Sequence, residues 1–441
     1  MLVSLTITIM MMLAVVTLFQ VMTDSVSGSR ALLETADRLR ACRNRLQADL
    51  QGATATMNPP LRPESDEGYF EIIEGINNDA NYGGMTRNGA SLYGDVDDYL
   101  AFTVRSRGEP FVGKLAGAAA ESQIAEVLYF LAPSVDASLN PNGTIMDATQ
   151  SPPTRLFTLY RRVLLVYPVM GTQTSSTNFY DNNDISVRLQ EVLPVPLGGR
   201  TFNVVQNTLG DLTKRENRFS HYGYATTFPS PFPFTLFVPT TALPKPTGWP
   251  TSTVNLVTSN QFLAPMTAPR LGDDVILTNV LAFDVQAFDP GAPIYLSGGV
   301  AVEPRDAGFA SMTGASSAYG AYADLGWTPP SGFTPSPGNP PLFNGAPSTR
   351  SGITTRPYIY DTWSLHYEND GVLQLSPTGI ADAGTNGLDD DSNGIVDDLP
   401  EYDTLPPYPA KLRGVRITVR VYEPSSQQVR EITVVQDFLA E

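Results

Sequence analysis

An α+β architecture, in which a long N-terminal helix packs on a β-rich globular domain with large Pro/Gly-rich loop insertions, is predicted by three features of the sequence. The first 51 residues hold no proline and open on an uncharged apolar run. All 37 prolines, and all but one of the 36 glycines, lie beyond that segment. There, stretches rich in β-branched and aromatic residues alternate with turn formers, the pattern of short strands. At 441 residues the chain suffices for two ordinary domains, or for one enlarged by loops, so a sizeable core is within reach.

The opening run, MLVSLTITIMMMLAVVTLFQVM, has no charged side chain. Roughly 20 helical residues at about 1.5 Å each cross a hydrocarbon layer of about 30 Å. Residues 1–22 are therefore expected to span a bilayer, and the lack of a basic start and a small-residue cleavage site argues for a retained span over a secretory signal. Beyond them Leu32, Leu33, Ala36, Leu39, Cys42, Leu46 and Leu50 recur among Arg30, Glu34, Asp37, Arg38, Arg40, Arg43, Arg45 and Asp49. This spacing predicts that residues 23–52 continue the same helix with an apolar stripe, stopped at Gly52, as a rod of roughly 75–80 Å. The stripe is expected to pack on the body.

The cluster Pro59-Pro60-Leu61-Arg62-Pro63 cannot continue a helix, so a domain boundary is placed there and residues 60–441 form the body. Strands are predicted at 99–105, 125–131, 156–167, 184–189, 275–288, 362–367, 415–421 and 431–438. Within Val415-Arg416-Ile417-Thr418-Val419-Arg420-Val421 the alternation predicts one buried and one wet face, and Glu423-Pro424-Ser425-Ser426 reads as a hairpin turn. Two insertions, 229–250 and 297–352, are rich in Pro, Gly, Ser and Thr and are read as ordered surface loops. Their aromatics Phe232, Phe234, Phe237, Trp249 and Trp327 are expected to pack onto the body, with a partner-facing surface as the alternative.

The N-terminal sequence Met1-Leu2-Val3-Ser4-Leu5 resembles the type IV pilins and the pseudopilins of type II secretion. Their mature N-terminus reads approximately Phe-Thr-Leu-x-Glu followed by Met-Leu-Val-Ser-Leu, and the match begins after that glutamate. The processing glycine, the phenylalanine and the glutamate are thus expected upstream of Met1. The order of later segments is similar to that of the J-type minor pseudopilins: Leu100-Ala101-Phe102-Thr103, Glu126-Val127-Leu128-Tyr129, Leu159-Tyr160-Arg161-Arg162, the strand from Leu277 to Val285, Tyr360-Asp361-Thr362-Trp363, and the segment from Leu412 to Val419. The resemblance covers about half of the chain. It implies a minor subunit held in a bacterial inner membrane with its body on the periplasmic side, assembling with other minor pseudopilins or pilins at the tip of a secretion pseudopilus and supporting protein export. A minor pilin of a type IV pilus, and a membrane-tethered carbohydrate-binding or hydrolytic protein, are the alternatives.

The sharpest chemical motif is Asp389-Asp390-Asp391-Ser392-Asn393-Gly394-Ile395-Val396-Asp397, within an acidic stretch at 386–398. Oxygen donors at places one, three, five and nine, with glycine at six, match the start of a calcium loop. The expected ligands of Ca2+ are Asp389, Asp391, Asn393, the Ile395 carbonyl and Asp397. Place twelve is Pro400, so the set must close through Asp398 or Glu401; a solvated acidic turn is the alternative. Two further runs, Asp95-Val96-Asp97-Asp98 and Asp181-Asn182-Asn183-Asp184, lack this spacing and are read as polar turns.

A formal charge of −17 opposes a nucleic-acid partner, since phosphate binding needs a basic face. The single cysteine, Cys42, leaves no internal disulfide and is read as a packing residue. Neither histidine, His221 or His366, belongs to a metal or nucleophile motif, and no phosphate-binding Gly-rich loop or serine elbow is present. No enzymatic activity is expected.

Overall fold

The computed structural model describes residues 2–74, 86–87, 90–91, 94–96, 98–134, 144–145, 154–166, 173–174, 179–191, 202–219, 270, 272–306, 308–345, 358–363, 380, 383–398, 400–402 and 407–438. A long helix is followed by a β-rich domain. The helix, α1 (Leu2–Gln51), runs without interruption. Its apolar half stands clear of the body, with Met12 and Phe19 69% and 66% exposed. Hydroxyls there bond within the helix: Thr17 donates to the carbonyls of Leu13 and Ala14 at 3.0 and 2.9 Å, and Thr23 to that of Phe19 at 2.8 Å. They need no water, and the segment is long and apolar enough to cross a membrane.

The first buried residue of the helix is Thr35, whose hydroxyl donates to Glu423 at 2.6 Å, and burial continues through Leu39, Cys42, Leu46 and Leu50. Leu33, placed on the stripe by the sequence pattern, is exposed, because it sits one position round the helix from Leu32 and the body begins only a turn later. At the last turn the Asp49 carboxylate receives Tyr129 Oη at 2.5 Å and Arg161 through Nε at 2.6 Å and Nη2 at 2.9 Å. Gly52 ends the helix. A Cβ there would lie 2.6 Å from the Arg105 carbonyl, so the turn onto the sheet requires glycine.

The sheet has ten strands: β1 (Phe70–Glu74), β2 (Tyr99–Arg105), β3 (Ile124–Pro133), β4 (Phe157–Leu165), β5 (Val275–Ser297), β6 (Val300–Val302), β7 (Ala318–Ala323), β8 (Tyr358–Asp361), β9 (Gly414–Glu423) and β10 (Gln428–Asp437). The order β8-β1-β2-β3-β4-β5-β9-β10 is antiparallel throughout, with β6 and β7 also paired to β5. Strands β1 to β5 follow one another across the sheet in chain order, with smaller separate sheets interposed in the sequence between β2 and β3 and between β4 and β5. The 23 residues of β5 pair in succession with β4, β9, β7 and β6, and this strand is the spine of the domain.

The hairpin β9–β10 turns where the sequence placed it. Its wet face is only partly wet: Thr418 is buried, and Arg416 is covered by Gln286, Glu303 and the Tyr322 ring. The strand expected at 362–367 is displaced towards the N-terminus, to β8; Thr362 follows it and accepts the Phe70 N–H at 2.9 Å, and residues 364–367 lie outside the described ones. The insertion at 297–352 is more than loop. It contributes β6, β7 and a small second core of Tyr295, Val302, Phe309, Ala321 and Trp327. Buried Asp289 ties it to β5, accepting from Trp327 Nε1 and the Phe343 N–H at 3.0 Å and from the Gly291 N–H at 2.9 Å. Trp327 therefore packs inward. Phe232, Phe234, Phe237 and Trp249, with the whole insertion at 229–250, lie outside the described residues.

A polar centre crosses the core. Arg218 is fully buried between Asp361 at 2.8 Å and Glu71 at 3.6 Å, over the Tyr69 ring, and Tyr69 Oη donates to Glu126 at 2.7 Å. Within the run at 181–184, Asn182 is exposed but Asn183 and Asp184 are buried, and Asp184 is paired with Arg270 at 2.7 Å and Arg162 at 3.2 Å.

Replacing Asp49 by alanine leaves a buried guanidinium and phenol without their acceptor, a loss on the order of 3 kcal/mol. Denaturant melts of the full chain in detergent should show that loss in Asp49→Ala, with a smaller one in Asp49→Asn; an unchanged midpoint in both would show that the helix is held by apolar contact alone.

Candidate metal centre

The acidic stretch folds as a compact loop whose backbone is turned by left-handed residues: Gly387 (φ 80°), Ser392 (φ 61°), Gly394 (φ 91°) and Asp397 (φ 52°). Its start is fixed by Asp397, whose two oxygens accept the Gly387 N–H at 2.9 and 3.1 Å. Its middle is fixed by Asp389, which accepts the N–H groups of Asn393 at 3.1 Å and Gly394 at 2.8 Å. Glycine at 394 thus supplies the turn that the sequence spacing assigned to it, and its amide in addition.

The structure gathers Asp389, Asp391 and Glu401, one carboxylate oxygen of each lying within 4.8 Å of the others. Glu401 is fully buried and accepts the Asp390 N–H, the Asp391 N–H at 3.1 Å and the Asp398 N–H at 3.2 Å. Of the two residues named to close the ligand set, Glu401 joins the group directly. Asp398 stands beside it: its Oδ2 accepts Asn393 Nδ2 at 2.9 Å, and its buried Oδ1 has no hydrogen-bond partner. Three convergent carboxylate oxygens are a donor set of the kind that could hold a hard cation.

The remaining expected ligands are placed differently. The Asn393 oxygen accepts the Ile395 N–H at 2.8 Å, and its amide donates to Asp391 at 3.0 Å. Ile395 projects a side chain that is 60% exposed, alongside exposed Leu388 and Val396. Asp397 is spent on Gly387, as described, and is not among the three convergent acids. The acids at the first and third places of the predicted loop thus converge with Glu401 from beyond Pro400, while the other three expected ligands do not join that group.

Other chemically notable residues have bland positions. Cys42 is 1% exposed on the docked face of α1, and burial pushes its thiol up to about 12. At neutral pH it stays protonated and unreactive. His221 and His366 lie outside the described residues. A thiol reagent at pH 8 should leave Cys42 unmodified in the folded protein and titrate one equivalent after denaturation; rapid labelling of the folded chain would show that the helix leaves the sheet.

No family model, no curated protein and no solved structure matches this chain.

Proposed function

We propose that the chain is a minor pseudopilin-like subunit, anchored in a bacterial inner membrane by residues 1–22 with its body on the periplasmic side, and that it assembles with other pilin-like subunits at the tip of a type II secretion pseudopilus. The observation that carries this reading is the division of labour along one helix. The apolar run that ends at Met22 is exposed, while the last four turns are sealed onto an antiparallel sheet. A helix presented in this way can lie in lipid and can equally exchange lipid for the helices of neighbouring subunits, since both environments satisfy an apolar surface whose hydroxyls are already bonded. The remnant Met1-Leu2-Val3-Ser4-Leu5 and the order of body segments support the same assignment. The large body, widened by the insertion at 297–345, suits a terminal position better than a repeating shaft.

The acidic loop is read as a calcium brace. Asp389, Asp391 and Glu401 would hold the ion, with the orphan oxygen of Asp398 as the adjacent donor. The ion would supply structural cross-linking: three carboxylates from both ends of the loop would be fixed to one point, and Glu401 would tie that point to the body.

Two experiments test these readings. Affinity purification from native membranes should recover the protein with other pilin-like subunits, and proline insertion at Val15 should abolish that recovery while leaving the body folded; a solitary monomer active on polysaccharide would overturn the assignment. Calorimetric titration of the full chain should give a saturable calcium signal with a dissociation constant on the order of 0.1–1 mM, the range of extracellular modules. Asp391→Ala and Glu401→Gln should each weaken it at least about tenfold. Heats identical to those of the parent would remove calcium from the loop.

A further inference from the structure

The base of the helix borders a groove of about 810 Å³, framed by the end of α1, the segment 53–58 and the end of β10. Arg107 and Lys411 stand in its wall, and the side chain of neither meets an acid or a hydrogen-bond partner among the described residues. Arg105 and Arg413, two residues from them in the chain, are exposed with side chains that are likewise unpaired. The Arg105 N–H donates to the Gly52 carbonyl at 2.8 Å and the Arg413 carbonyl accepts the Phe438 N–H at 2.7 Å, so both belong to the strand ends around the groove. In a chain of net charge −17 this is a local excess of free cations. The acids nearest to it are engaged: Asp437 Oδ1 accepts Tyr322 Oη at 3.1 Å, and Glu67 Oε2 accepts the Thr56 N–H and hydroxyl at 3.1 and 2.7 Å. Exposed Glu109 follows Arg107 in the chain without pairing to it.

A second feature of the groove asks for an acceptor. Ala55 and Met57 line it and are 7% and 5% exposed, yet their N–H groups donate to no described residue. Those of their neighbours are used, Thr54 by the Thr103 carbonyl at 2.9 Å and Thr56 by Glu67. Buried backbone donors are almost always paired. Cations and unused N–H groups together complement the carboxylates and main-chain carbonyls of a peptide.

The position narrows the source of that peptide chemistry. Leu50 and Gln51 line the groove, about 28 residues or roughly 42 Å along α1 from Met22, so the headgroups of a membrane crossed by the apolar run are out of reach. A nucleic acid would meet the negative charge of the whole chain. The volume lies in the range of ligand sites and exceeds what one small anion fills.

We propose that this groove docks an acidic peptide segment of a partner protein, with Arg107 and Lys411 holding its carboxylates and the N–H groups of Ala55 and Met57 holding its carbonyls. The site involves neither the membrane-spanning run nor residues 386–401, so it stands or falls separately from the pseudopilin and calcium readings.

The test uses the full chain in detergent and a fluorescein-labelled peptide of alternating glutamate and serine, read by anisotropy. Binding should saturate, weaken as salt is added, and fall at least about tenfold when glutamine replaces glutamate in the peptide. Arg107→Gln combined with Lys411→Gln should cause a loss of the same size at an unchanged melting temperature, since neither side chain has a partner in the fold. Should that pair melt lower, Arg107→Gln alone, at an exposed position, is read in its place. Arg43→Gln combined with Arg45→Gln removes two exposed, unpaired cations of α1 outside the groove and should leave binding as it was. No saturable binding, undiminished binding in the folded groove variant, or an equal loss in the helix variant overturns the proposal. Full displacement of the peptide by an equal concentration of inorganic phosphate assigns the groove to small anions and overturns it as well.

Discussion

The contact on which the rest of the architecture depends is the carboxylate of Asp49, set between Arg161 and Tyr129 at the base of the helix. A helix of 50 residues held by its last four turns acts as a lever, and apolar contact along Leu39, Cys42, Leu46 and Leu50 is non-directional. It would permit sliding or rotation. Asp49 adds direction, because a two-pronged guanidinium contact and a phenol donor fix both the height and the rotation of the last turn. Burial raises the cost of misplacing the helix, since any other register leaves Arg161 desolvated without its acceptor. Thr35 and Glu423 make a second polar contact about four turns away, so the helix is held at two points.

The same device recurs in the body. Asp289 collects the amides of Gly291, Leu342 and Phe343 and the Trp327 indole, which fixes the insertion on β5. Gly291 is required there, because a Cβ would come within 2.2 Å of Pro341. Arg218 joins the end of β8 to β1 through Asp361 and Glu71. In each case a buried charge binds segments that are far apart in sequence. Such contacts specify one arrangement among many apolar packings more than they add net stability.

Local signals in the sequence were faithful where the structure is local. The absence of proline before residue 59 and the three- and four-residue spacing of Leu39, Cys42, Leu46 and Leu50 located α1 and its docked face. Alternation located β9, and its turn formers located the hairpin. The boundary of β8 was missed because Tyr358-Ile359-Tyr360 and Thr362-Trp363 are equally rich in strand formers; pairing with β1, far away in the chain, decides which of them lies in the ladder. The acidic loop was legible through Gly394 and the alternate acids, and Pro400 at place twelve pointed to Asp398 or Glu401; which of the two joins Asp389 and Asp391 depends on how the chain turns back after Pro400. Asp95 and Asp98 illustrate the limit of local reading. The strand predicted from Tyr99 signals burial next to them, but the burial of the acids themselves follows from the docking of that segment on β5 through Phe283 and Val285.

The distribution of charge bears on how the proposed anchoring works. Residues 1–51 hold four acidic and five basic side chains, so the whole −17 net charge and one further negative charge lie on the body, whose repulsion from an anionic membrane surface decays over a Debye length of about 8 Å at physiological salt. Between the apolar run and the first buried contact at Thr35 lie about a dozen helical residues, or roughly 18 Å. In the proposed anchoring this stalk would hold the acidic sheet about two Debye lengths from lipid headgroups, so the anchor would work against little of the body's own field. It also accounts for a helix longer than either task alone demands. A span needs about 20 residues and the docked seam about four turns, and the excess is the distance at which electrostatic repulsion becomes negligible.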